Sequence, residues 1–163
     1  MDKTRINSKI FISSKHQKKE SVKGCPFCSN SGVAVSTVTV EHLVKQNIQI
    51  ISEINDFRIC MNPDCNIVYY CGVPDICFVK NQIRVPIWFK KDADPKYACY
   101  CSQVTEQQVV DAVSKHGAKT VNDVNRITGA MNNSNCIQNN PLGTCCHKVI
   151  QSCIDLANQA TNL

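Results

Sequence analysis

No apolar run in these 163 residues is long enough to span a membrane or to act as a secretory signal. Such a signal needs roughly 7–15 apolar residues and a small-residue cleavage site. The only early run is Ile10-Phe11-Ile12, stopped at once by Ser13, Ser14 and Lys15. The chain is therefore expected in the cytoplasm, with no membrane partner. It also lacks a phosphate-cradling glycine loop, a nucleophile–base pair and a paired-carboxylate site, so no catalytic residue is nominated. Charge is missing too, except in one place. Of the formal +5, all falls in residues 1–24, which hold seven basic and two acidic side chains, and the remainder is balanced. A basic tail on a neutral body reads as a solvated, disordered leader over residues 1–23. Without a basic stripe on the body, a nucleic-acid partner is not expected.

What the chain has in excess is cysteine, twelve in all. In a chain with no secretory signal these read as metal ligands rather than disulfides. The length suits two small modules, each marginal on apolar burial alone and in need of a staple.

Residues 33–40 are rich in Val and Thr and have the composition of a strand. Residues 41–54 fit neither a helical nor a strand period. Phe57-Arg58-Ile59 leads into Cys60, and Asn62-Pro63-Asp64 is turn chemistry. Short strands are expected over residues 67–70, 76–79 and 83–85, the last extending through 86–89. Gly72, Pro74-Asp75 and Asn81 punctuate them. Charge-rich residues 90–96 read as a linker, giving modules over residues 24–92 and 97–160.

The second half reads as helix. Thr105 and Gln108 form a capping box, followed by Val109, Val110 and Val113 at helical spacing. Gly117 is a fitting stop. Thr120 opens a second helix with Val121, Val124 and Ile127 on one face and Gly129 after its end. The last helix follows Gly143-Thr144, with Val149, Ile150, Cys153, Ile154 and Ala157 as its stripe. Cys136 falls in an Asn/Ser-rich loop between them. The fold class is α+β, a small β module followed by a small helical one.

Cys25-Pro-Phe-Cys28 is a C-x2-C knuckle, and Cys60 and Cys65 form a C-x4-C turn about thirty residues on. Two short-spaced pairs are what a closed tetrahedral zinc site requires. Four thiolates leave no open position for substrate, so the role is structural. Iron suits the same S4 cage, and His42 could replace one cysteine.

A second set comprises Cys99, Cys101, Cys136 and the adjacent Cys145-Cys146. In an extended segment, residues i and i+2 point the same way, so Cys99 and Cys101 can face one iron. Cys145 and Cys146 open the last helix, whose free N–H groups and dipole favour a thiolate. Four such ligands fit a [2Fe–2S] cluster, and equally a second zinc. The remaining cysteines, Cys71, Cys77 and Cys153, read as buried thiols. A soft Cu+ site built from spare thiolates is chemically allowed but has no spacing to support it.

The second half resembles the bacterioferritin-associated ferredoxin-like [2Fe–2S] domain. The resemblance lies in Cys99-x-Cys101, Val104-Thr105, Gly117-Ala118, Thr128-Gly129-Ala130, Cys136 and the cysteine opening the last helix. That family usually sets its final two ligands as C-x2-C, whereas here residues 137–144 intervene. The long form of this loop, ending Gly-Thr-Cys-Cys-His, is similar to the N-terminal zinc and [2Fe–2S] domain of archaeal-type CopZ copper chaperones. The order of zinc module and cluster module is similar as well.

The resemblance implies a cluster rather than a second zinc. In the ferredoxin-like helix, residues 3, 4, 7 and 8 after the last ligand face the core. Counted from Cys146 these are Val149, Ile150, Cys153 and Ile154, which implies Cys146 as the fourth ligand, with Cys145 the alternative. His147 either covers the cluster or faces solvent. Full-length proteins of the family carry a further copper domain with an M-x-C-x-x-C loop, which these 163 residues do not contain. The expected function is one-electron redox chemistry in copper homeostasis, non-enzymatic apart from an open question of copper reduction. A separate copper-binding domain, a copper transporter or a redox protein would be the partner. The alternative is a ferredoxin-like electron carrier docking onto an oxidoreductase or iron-storage protein, with no copper role.

Overall fold

The computed structural model describes residues 24–46, 49–73 and 76–161. The expected basic tail, Ile48 and Pro74-Asp75 lie outside the described residues. No helix among the described residues is long and apolar enough to cross a membrane.

Strands β1 (Val33–Ala34), β2 (Arg58–Ile59), β3 (Ile67–Tyr70) and β4 (Cys77–Val79) form an antiparallel sheet in that order. All four residues of β3 are buried, as expected of a short continuous apolar run. The Val/Thr-rich stretch does not continue as a strand. It leaves β1 after Ala34 and, from Ser36, forms helix α1 (Thr37–Leu43). Thr39, Val40 and Leu43 are its buried residues, a three-to-four spacing that places one face on the core and overrides β propensity. The Thr37 and Thr39 hydroxyls donate to the Ile54 and Ile137 carbonyls at 2.5 and 2.6 Å. Residues 49–53 then make a 3₁₀ turn.

The strand expected over residues 83–89 is also absent. Ile83 makes a single bridge to Val44, Pro86 has no N–H to continue a ladder, and the chain turns, with Lys90 N–H donating to the Ile87 carbonyl. The Tyr100 side chain occupies the place of a neighbouring strand: its hydroxyl donates to Pro86 O (2.7 Å) and accepts from Trp88 N–H (2.9 Å). Lys90 is not part of a solvated linker. It is 1% exposed.

In the second half, β5 (Tyr97–Cys99) pairs with β6 (Val104–Thr105). Helices α2 (Glu106–His116), α3 (Val121–Thr128), α4 (Cys136–Asn139) and α5 (His147–Thr161) follow. The expected capping box of Thr105 with Gln108 forms, a second joins Thr120 to Asp123, and Gly117 and Gly129 end α2 and α3 in the left-handed region. Val109, Val113, Val121, Val124, Ile150 and Ile154 make the core. Ile127 is 40% exposed and lies off that face. Cys136 is not in open loop: it opens the single turn α4, which the Asn135 carbonyl starts by accepting from the N–H groups of Gln138 and Asn139.

Helix α4 and the segment that follows it join the two halves. Tyr69 of β3 donates its hydroxyl to Pro141 O at 2.7 Å, Leu142 packs against the first core, and Thr39 holds Ile137 O. Gly143 completes the contact at φ 66°, where an added Cβ would sit 2.5 Å from the Thr39 hydroxyl. Gly143→Ala combines a left-handed alanine with that collision. It is expected to cost the holo-protein about 1–3 kcal/mol in urea unfolding, whereas Gly117→Ala, with nothing within 4 Å, carries the backbone cost alone.

Candidate metal centres

The knuckle at Cys25 is a tight loop. Cys25 N–H donates to Asn30 O (2.9 Å) and Ser29 N–H to Cys25 O (2.8 Å), with Ser29 at φ 60°. Across the sheet, Cys60 follows β2 and Cys65 precedes β3, joined by a turn in which Asp64 N–H donates to the Asn62 side chain. Pairing of β1 with β2, and of β2 with β3, therefore brings the knuckle and the Cys60–Cys65 turn to one end of the sheet. The sulfurs of Cys25, Cys28, Cys60 and Cys65 lie within 4.8 Å of one another, with Cys25–Cys65 at 3.8 Å and Cys28–Cys60 at 3.5 Å.

Thiolates bound tetrahedrally at a Zn–S distance of about 2.3 Å stand about 3.8 Å apart. The Cys25–Cys65 and Cys28–Cys60 separations are close to that spacing, so the four sulfurs suit a tetrahedral zinc. His42 is not among them: it is exposed on α1 and its ring nitrogen meets Val38 O.

The second set is arranged differently. Cys101 and Cys136 sulfurs are 3.7 Å apart, and Cys99 is within hydrogen-bonding reach of Cys146. Cys99 and Cys101 thus have different nearest sulfur partners. The strand ends at Cys99, and the chain reverses through a turn closed by Gln103 N–H to Tyr100 O, with Gln103 at φ 53°, so the i, i+2 geometry of an extended segment is lost. Among the described residues only the upstream cysteines form a group of three or more potential ligands that could share one ion. The two close pairs adjoin, since the Cys146 N–H also reaches Cys136, and two adjoining pairs suit a binuclear group, which takes two thiolates at each iron, better than a single zinc. Cys146 is buried and Cys145 exposed. His147 is exposed as well.

Backbone donors complete the second set. Met131 N–H points at Cys99 Sγ (3.4 Å) and Asn135 N–H at Cys101 Sγ (3.3 Å). Met131, like Ser29 and Gln103, is a non-glycine residue at positive φ. Such residues cost of order 1–3 kcal/mol and persist only where their surroundings fix them. All three lie in the cysteine loops. No glycine marks these positions, so nothing in the sequence announced them.

The thiols are tuned in opposite directions. Cys28 falls to about 6, led by the Asn30 backbone hydrogen bond. Cys60 is pushed up to about 12, led by burial. Cys99 falls to about 5, led by its hydrogen bond with Cys146 and helped by the Met131 N–H and by Ser102, whose buried hydroxyl has no oxygen or nitrogen partner. Cys146 moves up, led by that same hydrogen bond and then by burial. Cys136 is pushed up to about 11, led by burial and then by Cys101.

The other cysteines form no group of three potential ligands among the described residues. Cys71 packs in the main core, its thiol near the Val73 and Ile76 carbonyls. Cys77 packs beside the upstream thiols, and Cys153 lies in the helical core. Lys90, one charge in a charge-rich run, reaches under the Cys60–Cys65 turn. Its ammonium donates to Cys60 O (2.9 Å), Asn62 O (2.7 Å) and Ile67 O (3.0 Å). Burial pushes its pKa down, and the nearby cysteine sulfurs, when ionised, act against that shift.

Comparison with known proteins agrees with this geometry. Residues 22–84 match a zinc-binding domain family, and residues 97–159 match the BFD-like [2Fe–2S] binding domain. A relative, the copper chaperone CopZ of Archaeoglobus fulgidus, is 35% identical over 124 residues, covering 76% of this chain and 57% of the relative. The chain thus spans little more than half the length of that protein. The X-ray structure of the Archaeoglobus fulgidus CopZ N-terminal domain superposes with a TM-score of 0.63 at 32% identity, covering 79% of this chain and 95% of that one. The chain belongs to the family of CopZ N-terminal domains, a zinc-binding domain followed by a BFD-like [2Fe–2S] binding domain.

Proposed function

We propose that the protein is a redox metalloprotein of copper handling in the cytoplasm. Its zinc-binding β-rich module covers residues 24–92 and its [2Fe–2S]-binding helical module residues 97–160. Cys25, Cys28, Cys60 and Cys65 hold a structural zinc, and Cys99, Cys101, Cys136 and Cys146 hold the cluster. The observation that carries this reading is the division of eight sulfurs into one four-membered group and two adjoining pairs. When bound, a [2Fe–2S] group supplies one reversible electron. The chain's own part is to hold Cys99 and Cys146 buried, to leave Cys101 and Cys136 half-buried, and to aim the Met131 and Asn135 amides at two of the sulfurs. Hydrogen bonds to cluster sulfurs favour the reduced, more negative state and raise the potential. Twelve free cysteines suit a reducing compartment.

Copper enters through likeness to a protein described as a copper chaperone. The electron is then used on copper carried by a separate copper-binding domain, a transporter or another partner, or on Cu+ bound directly. Titration of the as-isolated holo-protein with Cu+ tests direct carriage, which specific binding near one equivalent supports and its absence removes. Reduction of Cu2+ by the reduced protein tests the redox role on its own. A second reading, an electron carrier docking to an oxidoreductase or iron-storage partner, is favoured by the match of residues 97–159 to a domain whose description names no copper. Failure of both copper assays selects it.

A further inference from the structure

Lys90 is the one charged side chain buried among the described residues, and it takes part in none of the ion pairs found there. A buried ammonium without a counter-charge is costly, by several kcal/mol even after relaxation. Three carbonyls solvate it, but carbonyl dipoles do not neutralise it.

The position of those carbonyls identifies what does. They belong to Cys60, Asn62 and Ile67, which bracket the turn carrying Cys60 and Cys65, so the ammonium fills the inside of that turn. The adjoining Lys91 N–H closes on Pro63 O of the same turn. All four upstream cysteines act electrostatically on Lys90. When four thiols take up one Zn2+ they release four protons and leave a centre of net charge −2, in surroundings made of Ile67, Tyr70 and the cysteines themselves. The excess negative charge and the unpaired positive charge are neighbours in one buried region.

We propose that Lys90 is a positioning residue for the zinc centre, holding the Cys60–Cys65 turn in its metal-ready shape and serving as counter-charge to the tetrathiolate. This rests on the reading that Cys25, Cys28, Cys60 and Cys65 are the zinc ligands. The ligands come from residues 25–65, while the counter-charge comes from a stretch whose composition resembles a linker.

The test uses the full chain, with Lys90→Met and with Lys90→Gln, which keeps hydrogen-bond donors but not the charge. Competition against a chromophoric chelator is expected to show zinc affinity lowered about 10–100-fold, the usual effect of losing an outer-shell partner. After cobalt substitution, the sulfur-to-metal charge-transfer band is expected to move to longer wavelength, because a nearby positive charge holds sulfur electrons more tightly. A merely structural role would weaken binding without moving the band. Unchanged affinity, or an unmoved band, in both neutral variants overturns the inference.

If neither neutral variant folds in saturating zinc, Lys90→Arg decides. Folding of that variant supports a requirement for charge, and its failure assigns the requirement to packing and overturns the inference. A wild-type chain that binds no zinc, or a Cys25→Ser/Cys60→Ser variant that binds it with undiminished affinity, refutes the ligand reading instead.

Discussion

Cys146→Ser protein is expected to emerge from anaerobic purification with most of its visible cluster absorbance gone, while Cys145→Ser keeps it. The two residues are neighbours in sequence, but the start of α5 separates their sulfurs. Cys146 is 2% exposed and sits against Cys99, in a core formed with Ile150 and Ile154, whereas Cys145 is exposed. For Cys145 to replace Cys146, the segment would have to turn about its axis and draw Ile150 out of the core, at a cost of a few kcal/mol for the apolar burial lost. The serine oxygen is a harder, less acidic ligand than thiolate and holds iron poorly. Iron and sulfide content together with absorbance measure the effect. The opposite ranking would transfer the fourth ligand to Cys145.

Loss of the zinc centre is expected to have the larger structural effect. Structural zinc supplies roughly 10–16 kcal/mol of apparent binding free energy, as much as or more than the 5–15 kcal/mol net stability of an ordinary domain. Cys60→Ser, which removes a buried ligand, should therefore leave the first module largely unfolded in circular dichroism and hydrogen exchange. The consequence should reach the cluster. Tyr69 and Thr39 of the first module hold the carbonyls of Pro141 and Ile137, and Cys136 and Cys146 flank the segment so held. Cys60→Ser protein should lose its cluster to an iron chelator markedly faster than wild type. A variant that loses zinc but keeps native circular dichroism and wild-type cluster lifetime would show that the two modules stand independently.

What could be read from the sequence was local chemistry. Thr105 with Gln108 announces a helix start because both partners lie within one turn, and Gly117 and Gly129 announce stops for the same reason. Short cysteine spacings announced the candidate ligand pairs. What could not be read depends on distant partners. The Val/Thr stretch becomes α1 because Thr39, Val40 and Leu43 find a core and the inserted loop on one side. Residues 83–89 stop being a strand because Tyr100 supplies their hydrogen bonds. The pairing of Cys99 with Cys146 and of Cys101 with Cys136 is set by the turn at Gln103, which has no glycine to mark it. Lys90 sat in a run of charges that conceals one buried member. The 137–144 loop, first visible only as a departure from C-x2-C spacing, turned out to be the contact between modules.

Metal and sulfide analysis of the anaerobically purified full chain, combined with EPR of the dithionite-reduced sample, is the most direct measurement of how the eight sulfurs are used. One zinc, two irons and two acid-labile sulfides per chain, with the signal of a single unpaired electron on reduction, is the expected result. A colourless protein without sulfide that resists reconstitution, or one carrying two zinc ions and no iron, would contradict it.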